Sequence, residues 1–534
     1  MEFSSFVEKH STRVDSLERA GSLAYWEAAR SGSSDDFRKY ADAHMELEKI
    51  YTNSDEFEYV QDIRESGDLK DPQLKRIADL LYLSYKGNQM DPALLKKIVE
   101  LSSEVEKKFG TFRPVVDGRE LAPGEVMKVF KTSTDSEYRR KVWEAGKKVG
   151  PKLVCDLLKL VRARNEAARA IGYRDYHEMS LILSEQNGEK LSRVFVELEE
   201  LTREPYLKLK EEIDRELSAR YGITTEEMRP WHYHDPFFQE APAVGEIDLD
   251  AYYKGKDIAE IAAGFYAGIG MPVEDILSRS DLYEREGKNP HAFCTDIDRQ
   301  GDIRILANII DNAGWMDTML HELGHGVYDK YIDRELPFLL RRYPHLCTTE
   351  ASAMFFGRLS HDSLWMKAAL GLSDEEVEKI RPAFLRSQRL KQLVFARWVQ
   401  VMFNFEKELY RDPDQDLNSV WWDMVEKYQF VKRPEGRDEP DYASKIHIIS
   451  SPVYYHNYML GELIASQFYH HISDILLEKE GEIRIYGNKA VGDYFKNTVY
   501  RPGALYPWME HIRVVTGEQL SARYFVEQFV MEQD

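Results

Sequence analysis

The stretch His321-Glu322-Leu323-Gly324-His325 constrains the fold of this chain more than any other. Two histidines four residues apart sit one above the other on a single face, close enough to share one metal ion, where the backbone between them is helical. Glu322 then stands about 100° round the helix from His321, placed to hold a water beside a metal without ligating the metal itself. Two neutral imidazoles and a neighbouring carboxylate base are most of what zinc-assisted hydrolysis of an amide requires. The remaining ligand is expected to be a carboxylate from a second helix packed on the first. Glu350, in Thr348-Thr349-Glu350-Ala351, is the candidate, 350 − 325 = 25 residues beyond His325. His321, His325 and Glu350 are therefore read as ligands of one Zn2+ per chain, with Glu322 as the catalytic base.

The flanks agree. Asn312-Ala313-Gly314 marks a helix start, and Met316, Leu320, Leu323 and Val327 give the segment from Trp315 to Tyr331 an apolar helical side. Gly324 and Gly326 are poor helix formers and leave room for another segment, or substrate, to come close. Asp317, one turn before His321, is either an acceptor that orients that ring or a solvated first-turn acid favoured by the helix dipole. Pro337 and Pro344 mark a connecting loop. Thr348 or Thr349 is expected to cap the second helix, with Glu350 in its first turn. Cys347 is a rival ligand by position, but by type a small buried hydrophobe.

The length of 534 residues suits three average domains or one large two-lobed enzyme, and 43% hydrophobic residues supply an ample core. A formal net charge of −21 argues against a nucleic-acid partner and against a strongly acidic polymer as substrate. No apolar run reaches membrane-spanning length, and Met1-Glu2-Phe3-Ser4-Ser5 lacks the basic-then-apolar order of a signal peptide. Cys155, Cys294 and Cys347 are an odd, sparse set that fits a reducing compartment. A cytoplasmic chain without membrane contact is the expectation, and the oligomeric state stays open.

Spacings of three and four predict helices over 6–31, 34–66, 71–86, 91–109, 123–131, 134–149, 151–171, 188–221, 373–410, 416–430 and 452–478. Asp71-Pro72 and Asp91-Pro92 are helix-start signals. Between Asn289 and Ile310 the period changes to two around Asp298-Arg299-Gln300-Gly301, which predicts a β-hairpin just before the metal helix. Such an edge offers backbone partners to an extended peptide. Further on, Lys445 is a point charge suited to a terminal carboxylate. Tyr455 and Tyr458 share a helix face, and a phenol suits an oxyanion. Read alone, these three are ordinary surface and core residues. His232 with His234, and His470 with His471, are either a second metal site or ordinary surface or core histidines, and are read as the latter.

Together these residues resemble the angiotensin-converting-enzyme-like peptidyl dipeptidases, a branch of the Glu-zincin metallopeptidases related to thimet oligopeptidase and oligoendopeptidase F. His291-Ala292 stands 321 − 291 = 30 residues before His321, as a substrate-binding His-Ala does in that family. Lys445-x-His447-x-x-Ser450-Ser451, Tyr455-x-x-Tyr458 and Gln467-Phe468 match its C-terminal block, with one extra residue between His447 and Tyr455. Asp71-Pro72-Gln73-Leu74 and Asn165-Glu166-Ala167-Ala168-Arg169 are similar too. The resemblance implies that Tyr458 and His447 stabilise the oxyanion, that His291 and Ala292 hold the substrate backbone, and that Lys445 and Tyr455 grip its C-terminal carboxylate. It implies a mostly helical fold of two lobes round a deep cleft, one small hairpin beside the zinc helix, and residues 1–120 as lid-like helices. Departures also stand out. Asn457, Val425 and Glu426 occupy places where animal members carry chloride-linked arginines, which implies activity independent of chloride. The family's carboxylate-binding Gln looks replaced near Trp231 by Tyr233.

The expectation is a zinc metallopeptidase acting on short peptides and releasing C-terminal dipeptides. An oligoendopeptidase is the alternative among enzymes, and an inactive zinc-loaded peptide-binding protein the alternative outside them.

Overall fold

The computed structural model describes residues 2–242, 248–473 and 484–530. These residues are mostly helical, with two antiparallel two-stranded sheets. The chain divides into two compact units. Met1–Gln89, Glu246–Phe384 and Leu460–Leu520 form the first, and Met90–Gly245, Leu385–Met459 and Ser521–Asp534 the second.

In the first unit, helices Phe3–Ser31 and Ser34–Tyr51 pack side by side. The helix predicted over 34–66 is broken at Thr52, because the Asn53 side chain accepts from the Glu56 N–H and starts a new helix, Ser54–Ser66. Asp71 caps Pro72–Gly87 as its Asp-Pro pair predicts. The predicted hairpin is present: Phe293–Asp296 pairs with Ile303–Leu306, Cys294 opposite Ile305. The Asp296 carboxylate accepts from the backbone of Asp298 and Arg299 and closes the turn. Trp26 and Ala29 of the first helix pack on Ile297, Leu306 and Phe293, so apolar burial ties the hairpin to the N-terminal helices.

Helix Ala313–Tyr331 follows the hairpin, capped by Asn312, whose side chain accepts from the Trp315 N–H at 2.8 Å. Its partner Leu346–Gly357 starts earlier than expected. Neither Thr348 nor Thr349 caps it: the ring of His345 does, accepting from the Cys347 N–H at 3.0 Å. Glu350 accordingly falls at the start of the second turn. The two helices touch through backbone. A Cβ added to Gly324 would stand 2.7 Å from the Cα of Ala353, and Ser352 Oγ donates to the Gly324 carbonyl at 3.0 Å.

In the second unit, Asp91 caps Pro92–Thr111, and Val149–Ala170, Gly188–Tyr221 and Leu417–Gln429 are long helices with buried apolar sides. A second, very short hairpin not expected from the sequence pairs Val115–Val116 with Arg119–Glu120. Its signal was the dipeptide Asp117-Gly118, where both residues take positive φ, 50° and 81°. The helix expected from residue 452 begins at His456 and runs to His471; residues 474–478 of that expectation lie outside the described residues. Short helices such as Tyr176–Leu183, Ile258–Gly268 and Trp508–Thr516 lay below the reach of periodicity.

Gly324→Ala is expected to lower stability despite the gain in helix propensity of about 1 kcal/mol. Pushing two backbones apart costs about 1–3 kcal/mol, and Glu350 moves with its helix. A thermal melt together with zinc titration checks this: the midpoint falls and zinc affinity falls with it.

Candidate functional site

In the first unit, His321, His325 and Glu350 come together as predicted, their ligand atoms within 4.8 Å of one another. His321 Nε2 lies 3.7 Å from Glu350 Oε2 and His325 Nε2 lies 4.0 Å from Oε1. Nδ1 of His325 meets Thr349 Oγ1 at 2.7 Å, which leaves Nε2 to face the carboxylate. Two imidazoles and one carboxylate converging at this spacing fit a tetrahedral Zn2+ with one position to spare. Cys347 is fully buried beside His345 and is not part of the cluster. Asp317 does more than face solvent: its Oδ2 lies 3.8 Å from His361 Nε2, and its Oδ1 and the Cβ of His321 both crowd the place where a Gly357 side chain would be.

Glu322 is buried next to the group. Burial, then the charge of Glu350, pushes its carboxyl up to about 8, against a hydrogen bond from the Cys294 backbone. The hairpin backbone thus lies beside the Glu322 carboxyl and favours its ionised form. Burial, then the charge of Glu462, raises Glu350 to about 7, and Arg358 holds Glu462 at 3.0 Å. A dication on the three ligands would favour the ionised form of both acids. His291 is exposed and Ala292 half-buried, immediately before strand Phe293–Asp296.

In the second unit, Lys445, His447, Tyr455 and Tyr458 form a second group. The Lys445 ammonium lies 5.2 Å from the ring centres of both Trp398 and Tyr455 and 5.4 Å from Phe237. Burial pushes it down to about 8. The His447 ring stands edge-on to Tyr455 at 4.9 Å, and Tyr455 lies 5.4 Å from Tyr458. His447 is held neutral, its pKa lowered to about 4 by burial and by Lys445. Its Nδ1 is buried without a hydrogen-bond partner among the described residues.

The segment between His447 and Tyr455 carries the extra residue noted in the sequence, and it makes a strained turn. Val453 takes φ 56°, rare for a β-branched residue. Its N–H donates to Glu406 at 2.8 Å, and Arg164 donates to the Ile449 carbonyl at 2.8 Å, so two buried side chains grip the turn from either end.

Two residues escaped the sequence reading. Lys445 donates to Gln239 Oε1. Tyr233, expected in place of a carboxylate-binding Gln, is committed elsewhere: its phenol donates to Asp214 at 2.9 Å and accepts from Lys210 at 2.7 Å. Gln239 sits in an irregular loop with no periodic signal. That loop is fixed by the buried Asp235, whose carboxylate accepts from the backbone of Phe237, Gln239 and Glu240. Arg139, fully buried, donates to the carbonyls of Trp231 and Tyr233 and to three more at 129, 130 and 133. The other is Lys147, lowered to about 7 by burial, which donates to Ser444 Oγ at 3.1 Å and stands 3.4 Å from the Phe237 ring centre. His232 has both ring nitrogens occupied, by Ser136 at 2.6 Å and the Arg229 N–H at 2.9 Å, so it has none left for a metal. Asn457 accepts from Gln186 at 2.7 Å and Glu426 accepts from the Arg433 N–H at 2.9 Å, so both side chains are engaged by neighbours in the second unit.

A family model described as angiotensin-converting enzyme, peptidase family M2, matches residues 1–234 and 236–531. Among relatives, angiotensin-converting enzyme of Oryctolagus cuniculus is 24% identical over 448 residues, 76% of this chain and 33% of that protein. That of Bos taurus is 24% identical over 439 residues, 74% of this chain and 32% of that protein. Thermostable carboxypeptidase 1 of Pyrococcus furiosus is 22% identical over 267 residues, 44% of this chain and 51% of that protein. The chain spans about a third of the length of the angiotensin-converting enzymes it matches and about half that of the carboxypeptidase. With a match over nearly its whole length and the His321, His325 and Glu350 cluster in place, the chain belongs to the angiotensin-converting-enzyme family of peptidases.

Proposed function

We propose that this chain is a zinc-dependent peptidase that releases dipeptides from the C-termini of short peptides. The observation that carries the C-terminal reading is the group of buried Lys445 and Tyr455 with half-buried Gln239: one ammonium, one phenol and one amide are the complement of a single free carboxylate, and the family favours release of two residues. His321, His325 and Glu350 would hold a zinc ion, which when bound would supply a Lewis acid for the scissile carbonyl and the attacking water. Glu322 takes the proton of that water and passes it to the leaving amine. Tyr458 and the neutral His447 donate to the developing oxyanion. His291 and Ala292 hold the peptide backbone at the hairpin, and Lys445, Gln239 and Tyr455 bind its end. The name of the Pyrococcus relative favours a second reading, removal of single C-terminal residues.

Mass spectrometry of N-blocked peptides with free C-termini tests the proposal. The expected product is a dipeptide, lost on chelation, restored by zinc, and lost in Glu322→Gln with zinc retained. Single released residues would replace the proposal with the carboxypeptidase reading. Cleavage of C-terminally amidated peptides would replace it with the oligoendopeptidase, and silence on all of them with a peptide-binding protein.

The pH dependence follows from Lys445. Its ammonium form binds carboxylate, and burial has brought its pKa down to about 8, so that form is lost as pH rises through this value. KM for a free-carboxylate peptide is expected to climb above pH about 8, and Lys445→Met, already weak in binding, to lose that climb. Replacing chloride by acetate at constant ionic strength is expected to leave kcat/KM unchanged; a large fall would refute chloride independence.

A further inference from the structure

An imidazole that gives one nitrogen to a metal must satisfy the other, and metal-site histidines ordinarily donate it to a carboxylate, a carbonyl or water. His325 does neither of the first two. Its Nδ1 meets the Thr349 hydroxyl at 2.7 Å, and the Thr349 side chain is 2% exposed. The neighbouring threonine does different work: Thr348 Oγ1 donates back to the His345 carbonyl at 2.6 Å. The chain therefore divides adjacent hydroxyls between closing a helix start and holding a ring. A hydroxyl both accepts and donates, so it can accept a hydrogen bond from the Nδ1–H that the metal-binding tautomer of His325 carries. Thr349 also precedes Glu350 in the chain. One helical turn thus supplies a metal ligand and the group that orients another ligand on the facing helix, and the Gly324–Ala353 contact sets their register.

We propose that Thr349 is a positioning residue for the metal, fixing the tautomer and the ring plane of His325. The assignment rests on the zinc reading above, and its test reads zinc itself rather than turnover. Zinc affinity is measured by competition with a chromophoric chelator on metal-free wild type, Thr349→Ser and Thr349→Val, with a melt of each metal-free protein as control. Serine keeps the hydroxyl and is expected to bind like wild type. Valine keeps the shape without the acceptor and is expected to bind about 10–100-fold more weakly, with the metal-free melt close to wild type. Thr349→Ala, which adds no bulk, gives the same direction should the valine variant not fold. Equal affinity in wild type and the hydroxyl-free variants overturns this assignment alone, as does a serine variant as weak as valine. Absence of zinc binding in wild type overturns the zinc reading and this assignment with it.

Discussion

Two helices meet backbone against backbone at Gly324, and the metal group depends on that contact. A helix pair separated by ordinary side chains stands about 8–10 Å apart; the bare Gly324 contact lets this pair come closer and sets which residues face each other. Here Gly324 lies between His321 and His325 on one helix, and Ala353 lies three residues past Glu350 on the other. The missing Cβ, the small buried run Ala351-Ser352-Ala353 and the Ser352 hydrogen bond to the Gly324 carbonyl let the second helix bring Glu350 within reach. Gly326, two residues on and so on nearly the opposite side of the helix, leaves room for Ile276, Cys294 and Ile303, so the hairpin comes close for the same steric reason. That approach brings the Cys294 backbone beside Glu322, where it works against the rise in pKa that burial causes.

The two candidate groups meet opposite electrostatic problems. In the first unit, burial penalises the anions Glu322 and Glu350 and raises both pKa values. In the second, burial penalises the cations Lys445 and Lys147 and lowers both. Each perturbation has the sign that a ligand of opposite charge relieves, a dication in one unit and a carboxylate in the other. Structural ion pairs elsewhere behave differently: Asp281, with Arg30, Arg285 and Lys288 around it, is pushed well below the usual carboxylate range.

How much of this was legible in the sequence depended on how local its cause was. The His321 and His325 face follows from helical period alone, and Asn312, Asp71 and Asp91 cap their helices as side chains that bond their own backbone should. Gly324 was legible as a close approach, though not against which residue. The helix start at His345 was missed because an imidazole replaced the usual hydroxyl or carboxylate cap. Thr349 looked like a cap because its real partner, His325, lies on another helix, and cross-helix register has no sequence period. Gln239 was hidden for a related reason. It meets Lys445 from a loop without regular structure, 206 residues away in the chain. The tiny hairpin at Asp117-Gly118 carried its turn signal openly, but strands of two residues leave no alternation to read.

The loop that carries Gln239 is held from both sides of its polarity. Arg139 takes five carbonyls, those of Trp231 and Tyr233 included, and Asp235 takes three amides within the loop. Among the described residues neither side chain forms an ion pair; both are spent on fixing backbone. An irregular segment fixed in this way has surrendered its conformational entropy during folding rather than during association. A guest that meets Gln239 therefore finds a receptor already in shape. The free energy of the contacts that such a guest would make there goes into holding and selecting it, with little diverted to ordering the host.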